Sequence, residues 1–134
     1  QESAIAPTLT VFRSPTCGCC ADWVTHVQSA GFTVEDHITE NMDAIKIRYG
    51  IPEPLATCHT ALITADNSHR YWVEGHVPAA DIHRLLAEQP AVAGIATPGM
   101  PIGSPGMEQG SEVEPYQVIA FTTAGKFTVF ANHG

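Results

Sequence analysis

Three of the four cysteines in this chain stand within four positions, at Cys17, Cys19 and Cys20. A short apolar and β-branched run, residues 8–12, precedes them and predicts a strand. After them, apolar residues recur at intervals of three and four, which predicts one face of a helix that ends at Gly31. The cysteines therefore lie where a strand passes into the N-terminus of a helix.

The rest of the first two thirds continues this alternation of strands and helices. Residues 32–38 predict a strand, residues 41–49 a helix, and residues 60–65 and 71–73 a hairpin whose turn is Asp66-Asn67-Ser68. A further helix begins at Pro78 and ends before Pro90. The order is βαβαββα, which predicts an α/β fold.

The last third has a different composition. The tripeptide Pro-Gly-Met occurs twice, at 98–100 and 105–107, in a segment too rich in proline and glycine for regular helix or sheet. Residues 116–122 and 126–131 then alternate around a short turn and predict a C-terminal β-hairpin. We expect one domain, with a core at about residues 8–90 and an extension at about residues 91–134.

Charge and hydropathy exclude two classes of partner. Fourteen acidic and six basic residues among 134 give a net charge of −8, and no basic cluster follows a phosphate backbone, so nucleic acid is excluded. No apolar run approaches the roughly 20 residues that cross a bilayer, so we expect no membrane insertion. The chain begins at Gln1 rather than methionine, which is typical of a processed leader or a trimmed tag, and on the first of these readings we expect export. We expect a monomer.

The cysteine cluster suits thiolate chemistry. Cys17 and Cys20 have CxxC spacing, and the unpaired amides and dipole of a helix N-terminus stabilise a thiolate there. A structural disulfide between two of the three, with the third a small buried side chain, is the alternative. Unpaired thiols in an exported chain invite oxidation unless a metal occupies them, so the crowding favours a metal.

The fourth sulfur comes from Cys58, which precedes the third strand after a proline-rich loop. In the βαβαββα order this loop packs beside the N-terminus of the first helix. Four cysteines suit Cu(I), which prefers soft donors, and they can also enclose zinc. Three ligands from one turn and one from elsewhere favour a small cluster with bridging sulfurs over the paired knuckles of a zinc site.

Methionine and histidine extend the candidate ligand set. Met100 and Met107 place flexible thioethers in the Pro-Gly turns, and His59 and His76 are the two imidazoles that we favour as ligands. We expect the other five histidines to have structural roles: His26, His37, His69, His83 and His133. The acidic residues 74, 81 and 88 are assigned to a solvated face and a helix-start charge rather than to catalysis.

The motifs together resemble a known family. SPTCGCC followed by a tryptophan-containing helix, then ATCHTALI, VEGHVPAADIHRLL and PGMPIGSPGME, resemble the CopG-type copper-resistance proteins of Gram-negative bacteria, over nearly the whole chain. The resemblance implies a thioredoxin-like domain with a C-terminal extension, a periplasmic location and a cysteine-bridged multinuclear copper cluster. The family's CxCC motif corresponds to Cys17, Cys19 and Cys20, and its later cysteine to Cys58.

Three functions follow as hypotheses. The resemblance implies interconversion of Cu(I) and Cu(II), with copper passed to an efflux system or a periplasmic copper carrier, which would make the protein a copper oxidoreductase. A copper chaperone or sequestration protein would use the same ligands without electron transfer. A thiol–disulfide oxidoreductase would use Cys17 and Cys20 without metal.

Overall fold

The computed structural model describes residues 7–64 and 70–133. The described residues form seven strands, three α-helices and one turn of 3₁₀ helix at Glu53–Leu55. The strands are β1 Thr8–Arg13, β2 Thr33–Ile38, β3 Thr60–Thr64, β4 Arg70–Glu74, β5 Gly94–Ala96, β6 Tyr116–Phe121 and β7 Phe127–His133. The helices are α1 Gly18–Ser29, α2 Met42–Arg48 and α3 Ala79–Glu88.

All seven strands belong to one sheet, in the order β2-β1-β3-β4-β5-β6-β7. The pairs β1·β2 and β4·β5 are parallel and are each connected through a helix, while the other neighbours are antiparallel. The mixed α/β class, the βαβαββα order and the C-terminal hairpin β6–β7 are confirmed. The predicted turn Asp66-Asn67-Ser68 lies outside the described residues.

The strand β5 was not predicted. It is three residues long, which is too short for a periodic pattern, and it lies in the segment assigned to the extension. It pairs with β4 on one side and with β6 on the other. The C-terminal hairpin therefore continues the sheet of the first two thirds.

The core lies between the sheet and two amphipathic helices. Trp23 and Val27 of α1, and Ile82 and Leu85 of α3, are fully buried in one cluster with side chains from β1, β3 and β4. Each buried side chain of this size stabilises the fold by about 1.5–3 kcal/mol. Trp23 also donates its indole N–H to the Val77 carbonyl oxygen at 2.8 Å, which ties α1 to the turn after β4. No helix in the described ranges has the length and apolarity to cross a membrane.

Candidate metal centre

The sheet brings the ends of three strands together. Phe12, near the C-terminal end of β1, pairs with Thr60, the first residue of β3, and Thr60 pairs in turn with Glu74, the last residue of β4. The segments that follow β1, precede β3 and follow β4 therefore meet at one edge. These segments carry the CxCC motif, Cys58-His59 and His76 respectively.

The first turn of α1 carries three sulfurs. Cys17 is the N-cap residue and makes no side-chain capping bond. A disulfide joins it to Cys20, which is fully buried, and this is the pairing that the sequence left open as an alternative. Cys19 is a free, half-buried thiol whose Sγ lies 3.5 Å from the Cys17 Sγ, so it is not the small buried side chain of that alternative.

The fourth sulfur lies beside the other three. The Sγ atoms of Cys17, Cys19, Cys20 and Cys58 all lie within 4.8 Å of one another. Burial raises the pKa of the Cys58 thiol to about 11, so this side chain keeps its proton at neutral pH. The distances between the Sγ atoms place Cys58 beside Cys17, Cys19 and Cys20, as the sequence predicts.

A second group of ligand atoms shares Cys58. One ligand atom each from Cys58, His59 and His76 also lie within 4.8 Å of one another. The His59 Nδ1 is 3.4 Å from the Cys58 Sγ, and the His76 Nδ1 donates to the Pro105 carbonyl oxygen at 2.6 Å. Histidines that bind metals commonly donate their second ring N–H to such a carbonyl. The bond leaves the lone pair of His76 on Nε2.

Both imidazoles are fully buried, and each has an Nε2 atom without a hydrogen-bond partner. Burial lowers the pKa of His76 and, with repulsion from His76, holds that of His59 well below its ordinary value, so both rings are uncharged. A buried polar atom without a partner costs about 1–3 kcal/mol. Uncharged rings with free nitrogens are the form in which histidine binds a metal, so these residues fit a bound ion.

The second Pro-Gly-Met copy covers this site. Gly106 has a φ of +88°, and a Cβ there would lie 2.7 Å from the Cys19 carbonyl oxygen and 3.0 Å from the His76 Nδ1. Only glycine fits so close an approach in this conformation. Met107 is half-buried next to this contact. The irregular segment thus closes one side of the candidate site.

The first Pro-Gly-Met copy is more exposed than the second. Met100 is 45% exposed and lines an open cavity of about 510 Å³ with Pro98, Glu114 and Tyr116. Its backbone neighbour Gly99 accepts a hydrogen bond from the Thr57 hydroxyl at 2.9 Å. The roles of Met100 and Met107 as ligands stay predictions.

The other described histidines have partners of their own. The His26 Nε2 accepts the Ala79 backbone N–H, and His83 donates to the Ala30 carbonyl oxygen. His133 bonds Asp81 at 2.6 Å, and exposed His37 lies 3.3 Å from Glu35. His69 lies outside the described residues.

One assignment of the acidic residues is wrong. Glu74 was placed on a solvated face, but its side chain is fully buried and ion-paired with Lys46. Asp81 is a helix-start charge as expected, in the first turn of α3, although it is 7% exposed rather than solvated. The pairing of Glu74 depends on a lysine 28 positions away, which no local pattern indicates.

Fold and site together define a class of protein. Four sulfurs, two of them joined in a disulfide, and two uncharged imidazoles lie at one edge of a mixed α/β sheet, and once the disulfide is reduced this set could hold a soft or borderline ion such as copper or zinc.

Comparisons with known proteins narrow this class. A family model described as "Protein of unknown function, DUF411" matches residues 55–107. The solved structure "Copper resistance protein copG- Form 1" is 44% identical, with 94% of this chain and 96% of that chain covered and a TM-score of 0.85. Form 2 is 43% identical, with 97% and 100% covered and a TM-score of 0.88. The comparison with curated proteins gave no match. This chain belongs to the CopG family of copper resistance proteins.

Proposed function

We propose that this protein serves copper resistance by binding copper through Cys17, Cys19, Cys20 and Cys58 and by interconverting Cu(I) and Cu(II), with one electron per copper exchanged with an external redox partner. The observation that carries the proposal is the convergence of the four Sγ atoms within 4.8 Å of one another. The copper resistance proteins that share the fold support the choice of metal.

The sulfur set is suited to Cu(I), which prefers thiolates at low coordination number. Four thiolates this close together exceed the needs of one such ion, so we propose that they bridge several Cu(I) ions in a cluster. The Cys17–Cys20 disulfide must first accept two electrons and two protons to give two thiols. A thiol reductant supplies the electrons, and the new thiols lose their protons when copper binds.

The histidines supply the donors for the higher oxidation state. Imidazole binds Cu(II) well. His59 and His76 each have an Nε2 atom without a hydrogen-bond partner, and one ring nitrogen of each lies within 4.8 Å of the Cys58 Sγ. Cys58 belongs both to the four-sulfur group and to the group with the two histidines. Copper at Cys58 therefore has soft and borderline donors within reach in both oxidation states. We include Met100 and Met107 as further soft donors from the extension.

Anaerobic titration with Cu(I) tests the proposal. Reduced protein should take up more than one Cu(I) per chain, and protein with the disulfide intact should take up less. Cys58→Ser should lower the uptake, whereas His37→Asn, which changes an exposed histidine, should leave it unchanged. Uptake of one Cu(I) or fewer by reduced protein would contradict the cluster.

Two other functions use the same residues. A chaperone or sequestration protein would lose copper when the loaded protein is cycled with mild oxidant and reductant, whereas a redox site would return to its starting charge-transfer spectrum. The disulfide at the N-terminus of α1 favours a thiol–disulfide oxidoreductase as a further candidate. Reduction of insulin by metal-free protein, inhibited by copper, would support that candidate.

We propose a periplasmic location, and transfer of copper to an efflux system or to a periplasmic carrier. A disulfide between Cys17 and Cys20 persists in an oxidising compartment, which supports export. Release of the full-length protein from cells by osmotic shock tests the location. Light scattering of the purified protein tests the expected monomer.

A further inference from the structure

A network of hydrogen bonds next to the segment that carries Cys58 joins Lys46, Thr57, Thr60 and Glu74. The Glu74 Oε1 accepts the Thr60 hydroxyl at 2.6 Å, and its Oε2 accepts the Thr57 backbone N–H at 2.8 Å and the Lys46 ammonium. Lys46 also donates to the Thr60 hydroxyl oxygen at 2.9 Å. One buried carboxylate thus joins α2, β3 and the loop between them.

The residues on both sides of Cys58 are fixed to the end of β4. Besides its bond to the carboxylate, Thr57 donates its hydroxyl to the Gly99 carbonyl oxygen. The Thr57 methyl lies against Gly75, where an added Cβ would be only 2.2 Å away. On the other side, the His59 carbonyl oxygen accepts the Gly75 N–H at 2.9 Å. The backbone at Cys58 therefore has little freedom to move its sulfur.

We propose that Lys46 and Glu74 form a positioning pair that holds Cys58 in place for copper. This inference rests on the proposed function. A buried ion pair is by itself a poor source of stability, because desolvation offsets the Coulombic attraction. The contact that acts on the site is the hydrogen bond that the Thr57 N–H donates to the Glu74 carboxylate, because Thr57 directly precedes Cys58.

Glu74→Gln is the direct perturbation. Glutamine has a single accepting oxygen. At the Oε1 position it leaves its NH₂ group against the Lys46 ammonium and the Thr57 N–H, at the Oε2 position it no longer accepts from the Thr60 hydroxyl, and in both cases Lys46 loses its negatively charged partner. Partners that orient metal ligands change affinity by roughly 10- to 100-fold when removed. We expect Glu74→Gln and Lys46→Met each to weaken Cu(I) binding by this factor, measured by competition with a chromogenic Cu(I) chelator.

A double-mutant cycle separates positioning from general loss of stability. If Glu74 acts through Cys58, the variant with both Glu74→Gln and Cys58→Ser should bind Cu(I) no more weakly than Cys58→Ser alone. Alkylation of the reduced, Cu(I)-loaded protein gives an independent signal. Copper should protect Cys58 in the unaltered protein but not in Glu74→Gln, while Cys19 stays protected in both.

Two control variants match the perturbation. Glu88→Gln breaks an exposed ion pair with Arg84, 2.8 Å long, on α3. Leu85→Ala destabilises the core at α3, by about 2–5 kcal/mol, without touching the network. Both should keep the Cu(I) affinity of the unaltered protein while folded.

The outcomes distinguish the two proposals. Additive losses in the cycle, or a Glu74→Gln protein with unchanged affinity when Cys58→Ser is weakened, would overturn the positioning role alone. Unchanged affinity in Cys58→Ser would overturn the four-sulfur site and the positioning pair with it.

Discussion

Gly106→Ala tests whether the C-terminal extension closes the metal site. Its φ of +88° lies in the left-handed region, which costs an alanine roughly 1–2 kcal/mol. Its Cβ would also lie 2.7 Å from the Cys19 carbonyl oxygen, a backbone atom in the first turn of α1. Overpacking against an atom that cannot rotate away costs about 1–3 kcal/mol more. We expect a total loss of about 2–5 kcal/mol in the free energy of unfolding.

The chain offers a matched control in the other Pro-Gly-Met copy. Gly99 has a φ of +74° but nothing within 4 Å of an added Cβ, and the hairpin residue Gly125, at +84°, is equally open. Gly99→Ala and Gly125→Ala should therefore lose only the conformational part, roughly 1–2 kcal/mol.

Urea unfolding of the metal-free proteins measures these losses in the free energy of unfolding, and competition with a Cu(I) chelator measures the Cu(I) affinity of the site. The added Cβ presses on the Cys19 carbonyl oxygen, in the backbone that carries one of the sulfur ligands, so Cu(I) affinity should fall by roughly 10- to 100-fold in Gly106→Ala only. Equal stabilities for Gly106→Ala and Gly99→Ala, with equal copper affinities, would refute the reasoning.

Two further predictions concern pH. Because the pKa of Cys58 is about 11, copper must displace its proton, and the Cu(I) affinity of reduced protein should rise at least about tenfold per pH unit near neutrality. In Cys58→Ser one proton fewer is displaced, so the slope of log affinity against pH should be smaller by one. A Cu(I) affinity that does not change with pH would contradict the assignment. Because the pKa values of His59 and His76 lie below 6.5, the unfolded chain binds more protons in acid. The free energy of unfolding of metal-free protein should therefore fall as pH drops below about 6.5, by up to about 1.4 kcal/mol per pH unit for each ring. Denaturant titrations at several pH values check this, with His37→Asn as the exposed control, and stability independent of pH would count against buried, uncharged rings.

Local patterns were sufficient for most of the fold. The apolar spacing after Cys20 predicts α1, because only one face of that helix is buried and the period is visible in the sequence. The strand β5 has three residues, all buried, so neither alternation nor length marks it. Its place in the sheet depends on pairing with β4 and β6, which is a tertiary effect.

The candidate site, like the fold, could be predicted from the sequence only in part. The proximity of Cys58 to the CxCC motif could be predicted, because β1 and β3 are antiparallel neighbours and both segments adjoin that pair. The spacing left the disulfide open, since Cys17 could pair with Cys20 or remain a ligand. The burial of Glu74 could not be predicted, because its partner Lys46 is distant in sequence and no periodicity links them.

X-ray absorption at the copper edge, on reduced protein loaded with Cu(I), tests the central claim most directly. The account predicts sulfur as the dominant scatterer, together with copper–copper scattering. In Cys58→Ser it predicts fewer sulfur neighbours per copper and a loss of the copper–copper scattering. Coordination by nitrogen or oxygen alone, or a spectrum that Cys58→Ser leaves unchanged, would contradict a copper site built from all four sulfurs.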